Sequence, residues 1–191
     1  MELSPKKIAY FNFVYNRATA RMEKIVFADG YNNKALGFFD KRKLKKSIRQ
    51  LEECLTMAPQ HFQTMVFIAK AHQRMGEHQK AFAHLEKAYT IEPGNKIIPT
   101  EASLEAMHLQ MLDKALFYSA AAVKLEENDV RLLGNHAMNL LIAAQDEEAK
   151  RTIEKALKLD PKDEVNRNVE RMIKGVMAGI KERPTFKSAV G

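Results

Sequence analysis

Few residues of this chain could do covalent or metal chemistry, and their spacing does not assemble them. The six histidines are His61, His72, His78, His84, His108 and His136. No HExxH pattern joins any of them. His78 and His84 are six residues apart, a spacing that turns them to different sides of a helix. The sequence therefore predicts histidines on or half inside helices and no metal site. Cys54 is the only cysteine, which excludes an intrachain disulfide, a cysteine zinc site and an iron–sulfur cluster. A thiol nucleophile would need exposure and a neighbouring base. The carboxylate pairs Glu126–Glu127 and Glu147–Glu148 could in principle share acid and base roles, but that needs a cleft with shifted pKa values. The eight glycines are scattered, and neither a P-loop nor a dinucleotide-binding glycine pattern occurs. The expectation is a protein that is not an enzyme, with no cofactor.

The elements that carry these residues repeat. Pro59 and Pro93 are 34 apart, and Pro161 lies twice that distance further on, with Glu127 midway. The runs before them, AYTIE, AVKLE and ALKLD, keep the same beat. Small residues recur at the same step: Ala35, Ala69, Ser103 and Ala137; Ser47, Ala81, Ala115 and Ala149; Cys54, Ala88, Ala122 and Ala156. Small side chains at a fixed step imply helices packed too closely for larger ones. Ala81, Leu85, Ala88 and Ile91 fall on one face of a helix, as do Ala149, Ile153, Ala156 and Leu159. Proline then ends each second helix, and Gly76 suits the turn between two helices. No convincing period-two strand is present.

A 34-residue helix–turn–helix unit with a small residue, a bulky one four later and a terminal proline resembles the tetratricopeptide repeat. The matching residues are Ala81, Leu85 and Pro93, then Ala149, Ile153 and Pro161. Four units fit, at 28–61, 62–95, 96–129 and 130–163. The third lacks the proline and has Ser119 at a usually bulky position; the first has Lys34 where an apolar residue is usual. The resemblance implies an all-α fold, a right-handed α-solenoid of about four hairpins. An N-terminal aromatic helix (1–27) precedes them. A capping helix (164–183) follows, with Val165, Val169, Met172, Ile173, Val176 and Ile180 on its apolar stripe. Residues 184–191 are expected to fray as a flexible tail. Tyr10, Phe11, Phe13 and Tyr15 make the N-terminal helix apolar nearly all round, which asks for burial on all sides. Packing on the first repeat, lying in the chain's own groove and docking on another copy all remain open.

The resemblance also implies a concave surface lined by the first helix of each unit. By register its partner-binding residues are Asn32, Leu36 and Phe39, then Val66, Lys70 and Arg74, then Leu104, Met107 and His108, and finally Arg131, Met138 and Leu141. Leu141 could equally pack on the capping helix. One subset of the family grips a peptide's terminal carboxylate with a Lys/Asn/Arg clamp; the corresponding positions here are Asn32, Leu36, Phe67, Ile97 and Glu101, which argue against that use.

Net charge is +7 over 191 residues. Residues 1–50 contribute +8, 51–100 nothing, 101–150 −5 and 151–191 +4. The basic run Lys41, Arg42, Lys43, Lys45 and Lys46 is expected at an exposed helix–helix turn. No stretch approaches the ~20 apolar residues that cross a bilayer, and the N-terminus reads as part of the fold and not as a leader. A single cysteine fits a cytoplasmic location. The function expected is a non-catalytic scaffold or adaptor. Its partner is a protein or peptide, helical or extended with apolar anchors, with homo-oligomerisation open and a secretion-type chaperone as one version. The alternative is binding of nucleic acid or another anionic surface through the basic N-terminal part. Aromatics that would stack bases hardly interleave with those cations.

Overall fold

The computed structural model describes residues 3–26 and 38–190. Among these residues there are ten helices and no strand, and the chain divides into two compact units, Met1–Pro93 and Gly94–Gly191. The N-terminal unit holds α1 (Pro5–Val26), α2 (Phe38–Met57), α3 (Phe62–Arg74) and α4 (His78–Ile91). The C-terminal unit holds α5 (Ile97–His108), α6 (Leu112–Leu125), α7 (Val130–Ile142), α8 (Asp146–Leu159), α9 (Glu164–Met177) and α10 (Phe186–Val190). Consecutive helices pair as hairpins: α1 with α2, α3 with α4, α5 with α6 and α7 with α8.

The 34-residue step is built into the helix ends. The second helices stop at Met57, Ile91, Leu125 and Leu159. A proline stands two residues later in three of the four, and Glu127 in the other. The turn from first to second helix recurs at the same step. Gly76, Gln110 and Ala144 all take positive φ, at 73°, 59° and 60°. Each sits just beyond its helix cap and closes a Schellman pair of hydrogen bonds: Gly76 and Glu77 donate to Gln73 and His72, Gln110 and Met111 to Met107 and Ala106, and Ala144 and Gln145 to Leu141 and Leu140. Only the first of the three is glycine, the residue to which this conformation costs nothing.

The small-residue columns lie inside. Ser47, Ala81, Ala115 and Ala149, and likewise Cys54, Ala88, Ala122 and Ala156, are all buried. In the C-terminal unit Ser103 turns the same closeness into hydrogen bonds. Its hydroxyl donates to the Ala115 carbonyl at 3.2 Å, and Asn139 of α7 donates to both Ser103 Oγ (3.2 Å) and that carbonyl (3.3 Å). Leu133, Ala137, Leu140, Leu141, Ile153, Val169 and Ile173 form the core among α7, α8 and α9. α9 comes close to α7 at Gly134. A Cβ there would lie 1.9 Å from Asn166 Oδ1, and Asn166 is held in place, 2% exposed, by its bond to the Val130 carbonyl.

Several expectations are corrected. The N-terminal helix is no separate element, because α1 pairs with α2 and also touches α3. It runs antiparallel to α2, since Tyr10 donates to Glu53 at 2.8 Å near one end and Arg21 donates to Ser47 and Gln50 near the other. Nor is α1 buried on all sides. Phe11, Val14, Ala18 and Met22 face inward, whereas Ile8, Tyr10 and Phe13 are exposed, Phe13 by 61%. The Tyr10 hydroxyl keeps its ring at the wet edge, and the Arg17 guanidinium lies 6.0 Å from the Phe13 ring centre. Lys41, Arg42, Lys43, Lys45 and Lys46 lie within α2 and not at a turn; they are exposed while Leu44 between them is buried. Asn32 and Leu36 fall outside the described residues. The last helix of the array, α9, ends at Met177, short of 183. Within the stretch 184–191 expected as a tail, residues 186–190 form α10, which packs on α5 with Phe186 only 7% exposed.

Two outcomes follow. Ala88→Leu and Ala122→Leu should each lower unfolding free energy by roughly 1–3 kcal/mol through overpacking, measured by urea denaturation. Ala144→Gly should raise it by about 0.5–1 kcal/mol, because the relief of a left-handed alanine exceeds the added entropy of the unfolded chain.

Candidate interaction surfaces

Each unit offers the exposed side of its first-of-hairpin helices. On α3, Val66, Lys70 and Arg74 are half-buried. Four-residue spacing lines them along one stripe of the helix. On α5, Leu104 is half-buried and His108 exposed, whereas Met107 is buried. On α7, Arg131 is exposed and Met138 half-buried against the core. Leu141 is fully buried in that core with Ile173 of α9, so it packs on the capping helix and is not a contact residue. Phe39 is the second residue of α2, the second helix of its hairpin, so it does not occupy the first-helix position expected of it.

His61, His72, Ser119 and Cys54 are committed to hydrogen bonds or to packing. His61 caps α3: its Nδ1 accepts from the Thr64 amide at 3.3 Å and lies 2.8 Å from the Thr64 hydroxyl. The rings of Phe11 and Tyr15 pack edge-on against it at 5.1 and 5.2 Å, and burial lowers its pKa. Buried His72 places Nδ1 2.6 Å from Glu77 and stacks on His84 at 5.9 Å. Burial, with the charges of His72 and Lys87, pushes His84 down to about 4, and its Nδ1 is buried without a hydrogen bond. Ser119 and His136 meet at 2.8 Å. That serine is buried and also donates to the Leu116 carbonyl. A nucleophile must reach its substrate, and this one is committed to packing. Cys54 is fully buried beside Phe11 and Val14, and burial, then the charge of Glu53, pushes its thiol up to about 11. It is a protonated core residue and not a reactive thiolate.

One polar constellation escaped the sequence reading. Arg183 lies beyond α9, yet its guanidinium reaches the α7–α8 turn. Nη1 donates to the Leu141 carbonyl and to Asp146 Oδ1, both at 2.5 Å, and Nη2 donates to Asp146 Oδ2 at 2.9 Å. The cation thus sits at the carbonyl end of α7, where the helix dipole favours it, and pairs with the first residue of α8 in fork geometry. The hydrogen bonds from Arg183 hold the Asp146 carboxyl below its ordinary range. Nothing in local periodicity announces a partner 37 residues away.

The tetratricopeptide-repeat profile matches residues 62–95 and 130–163, the α3–α4 and α7–α8 hairpins, and the resemblance to that family holds. Among curated proteins none matches the sequence significantly. Solved structures agree on the fold. MamA 41-end from Desulfovibrio magneticus RS-1 superposes with a TM-score of 0.64 at 13% identity over 87% of this chain and 93% of that one. A tetratricopeptide repeat protein from Parabacteroides merdae gives 0.70 at 16% over 87% and 60%. The first such domain of Spaghetti (RPAP3), bound to the HSP90 peptide SRMEEVD, gives 0.58 at 21% over 62% and 94%. The described residues thus form an all-α array of helical hairpins, two of which, α3–α4 and α7–α8, match the tetratricopeptide repeat. No helix among the described residues is long and apolar enough to cross a membrane.

The histidines give a pH dependence with a definite sign. The folded state keeps His84 neutral down to about 4, whereas the unfolded chain protonates it near its ordinary 6.5. Its contribution is fully present above pH ~6.5 and is lost as pH falls towards ~4. Thermal midpoints taken at intervals from pH 7 to 4.5 should fall, and should fall less in a His84→Gln variant.

Proposed function

We propose that the protein is a non-catalytic scaffold or adaptor that holds a helical or extended peptide through apolar anchors on its first-of-hairpin helices. The observation that carries this reading is the exposed side of α5 and α7. There Leu104 and Met138 are half-buried and keep some apolar surface accessible, on helices whose other residues, such as Ala102 and Ala106 of α5 and Leu133 and Ala137 of α7, are buried. Met is a flexible, polarizable contact suited to varied apolar partners. In the N-terminal unit, Val66, Lys70 and Arg74 offer a more polar stripe. The HSP90 peptide bound by RPAP3 is not the ligand we infer here. Phe67, Ile97 and Glu101 stand at carboxylate-clamp positions, and an acid and two apolar residues cannot grip an anionic terminus. A secretion-type chaperone and a self-assembling scaffold are both versions of this reading, and buried, reduced Cys54 suits a cytoplasmic site of action.

A second reading rests on charge. The N-terminal unit carries the whole net charge of +7, the C-terminal unit being neutral, and five exposed cations crowd one turn and a half of α2. Such a face attracts acidic partners and steers their approach.

The two readings separate in one experiment. Partner recovery from lysate of the source cells is compared for wild type and Leu104→Asp/Met138→Asp, with circular dichroism confirming that the variant folds. Recovery should fall by about tenfold or more, the cost of a charge placed in an apolar contact, and should persist at high salt for wild type. Unchanged recovery removes the apolar face from the account. Recovery that vanishes with salt in wild type transfers the function to α2.

A further inference from the structure

The segment after α9 is held on the C-terminal unit by two side chains. Gly179, at φ 68°, ends α9 in a Schellman turn, with Gly179 and Ile180 donating to Val176 and Gly175, and sends the chain back over the unit. Arg183 then enters the α7–α8 turn and Phe186 is buried as α10 packs on α5. Between and around these anchors the segment is wet: Ile180 is 81% exposed, and Lys181, Glu182, Thr185, Lys187 and Ser188 are exposed as well. Pro184 lies between the anchors and disfavours helix at Arg183, and residues 182–185 carry no helix or strand. The seat is made by the last hairpin. Asp146 has Leu112 and His78 as its counterparts 34 and 68 residues earlier, so the α5–α6 and α3–α4 turns carry no carboxylate at this register position.

We propose that this seat is a peptide-recognition site which reads an arginine followed three residues later by an aromatic residue, the two joined by a non-helical linker, and that residues 180–190 are its internal ligand, displaced by a partner peptide of that chemistry. The inference deepens the scaffold reading above and rests on it. Arginine and aromatic side chains are the types that dominate binding at protein interfaces. A bidentate guanidinium gives the orientation and the ring gives the buried area. With only two anchors and a solvated linker, the internal ligand competes by proximity and not by strength. A partner that adds contacts to Leu104 or Met138 would therefore win the seat, and its apparent affinity is reduced by the fraction of time the seat is closed.

The test uses the full chain and a fluorescent synthetic peptide with the sequence of residues 179–190. Arg183→Ala/Phe186→Ala empties the seat without shortening the chain, and should bind the peptide roughly tenfold or more tightly than wild type. Replacing the arginine or the phenylalanine of the peptide by alanine should abolish the gain, and so should Asp146→Asn in the double variant. A folded double variant that binds no better than wild type overturns the proposal, as does one that dimerises with the peptide excluded, which would assign the seat to a second copy. A nitroxide on Ser188→Cys in an otherwise wild-type chain gives the same answer should the double variant unfold. The label should become mobile as peptide is added; a label still immobile at millimolar peptide overturns the proposal. Failure here with loss of partner in Leu104→Asp/Met138→Asp leaves the scaffold reading standing, and the reverse pattern removes that reading alone.

Discussion

The structure depends on how closely the two helices of a hairpin and their neighbours approach. Ala88, Ala122 and Ala156, with Cys54 in the first hairpin, are buried at one register position of successive second helices. Where only a methyl or a thiol fits, the bulky residues about one turn earlier on the same helices, such as Leu85 and Ile153, are buried as well and fill the space beside the close approach. Dispersion and water exclusion then do the holding. Polar groups inside this packing must bring their own partners, and the Ser103–Asn139–Ala115 bonds show one solution. Asn139 Oδ1 stays unpaired even so, a local cost carried by the surrounding core.

That constraint explains what could be read from the sequence. Small residues and prolines at a fixed step are direct chemical signs of close packing and helix ends, so the hairpins from residue 62 to 163 and the start of α9 were legible. The first hairpin was not. Its second helix, α2, keeps the register through Ser47 and Cys54, but its partner is the aromatic α1, reached across residues 27–37. A shared step gives no hint when the partner is drawn from upstream of it. The outward aromatics of α1 misled for a different reason. Tyr10 and Phe13 count as apolar in any periodicity argument, yet a hydroxyl bonded to Glu53 and a ring beside Arg17 make them tolerable in water.

The candidate surface was legible only in part. Register placed Leu104 and Met138 on the first helices, but it could not tell which of the following residues the capping helix would cover, and Leu141 was covered. The Arg183 seat was invisible, because both its contacts bridge about forty residues and its surroundings, with Pro184 and polar neighbours, have the composition of a frayed end. The left-handed turns were half visible: glycine at 76 marks one, while Gln110 and Ala144 adopt the same conformation with nothing in their chemistry to advertise it.

The contact between Gly134 and Asn166 bears on how freely such hairpins could be duplicated or shuffled. Repeats of equal length look interchangeable, like beads on a string. Yet the position one step before Gly134 is Thr100. Were the third hairpin copied into the place of the fourth, a threonine Cβ would meet the Asn166 amide where only a hydrogen now fits. Asn166 would have to swing away and surrender its bond to Val130. The joint with α9 is therefore specific to a hairpin that carries glycine at this place, and the third hairpin could not stand there without the loss of that bond.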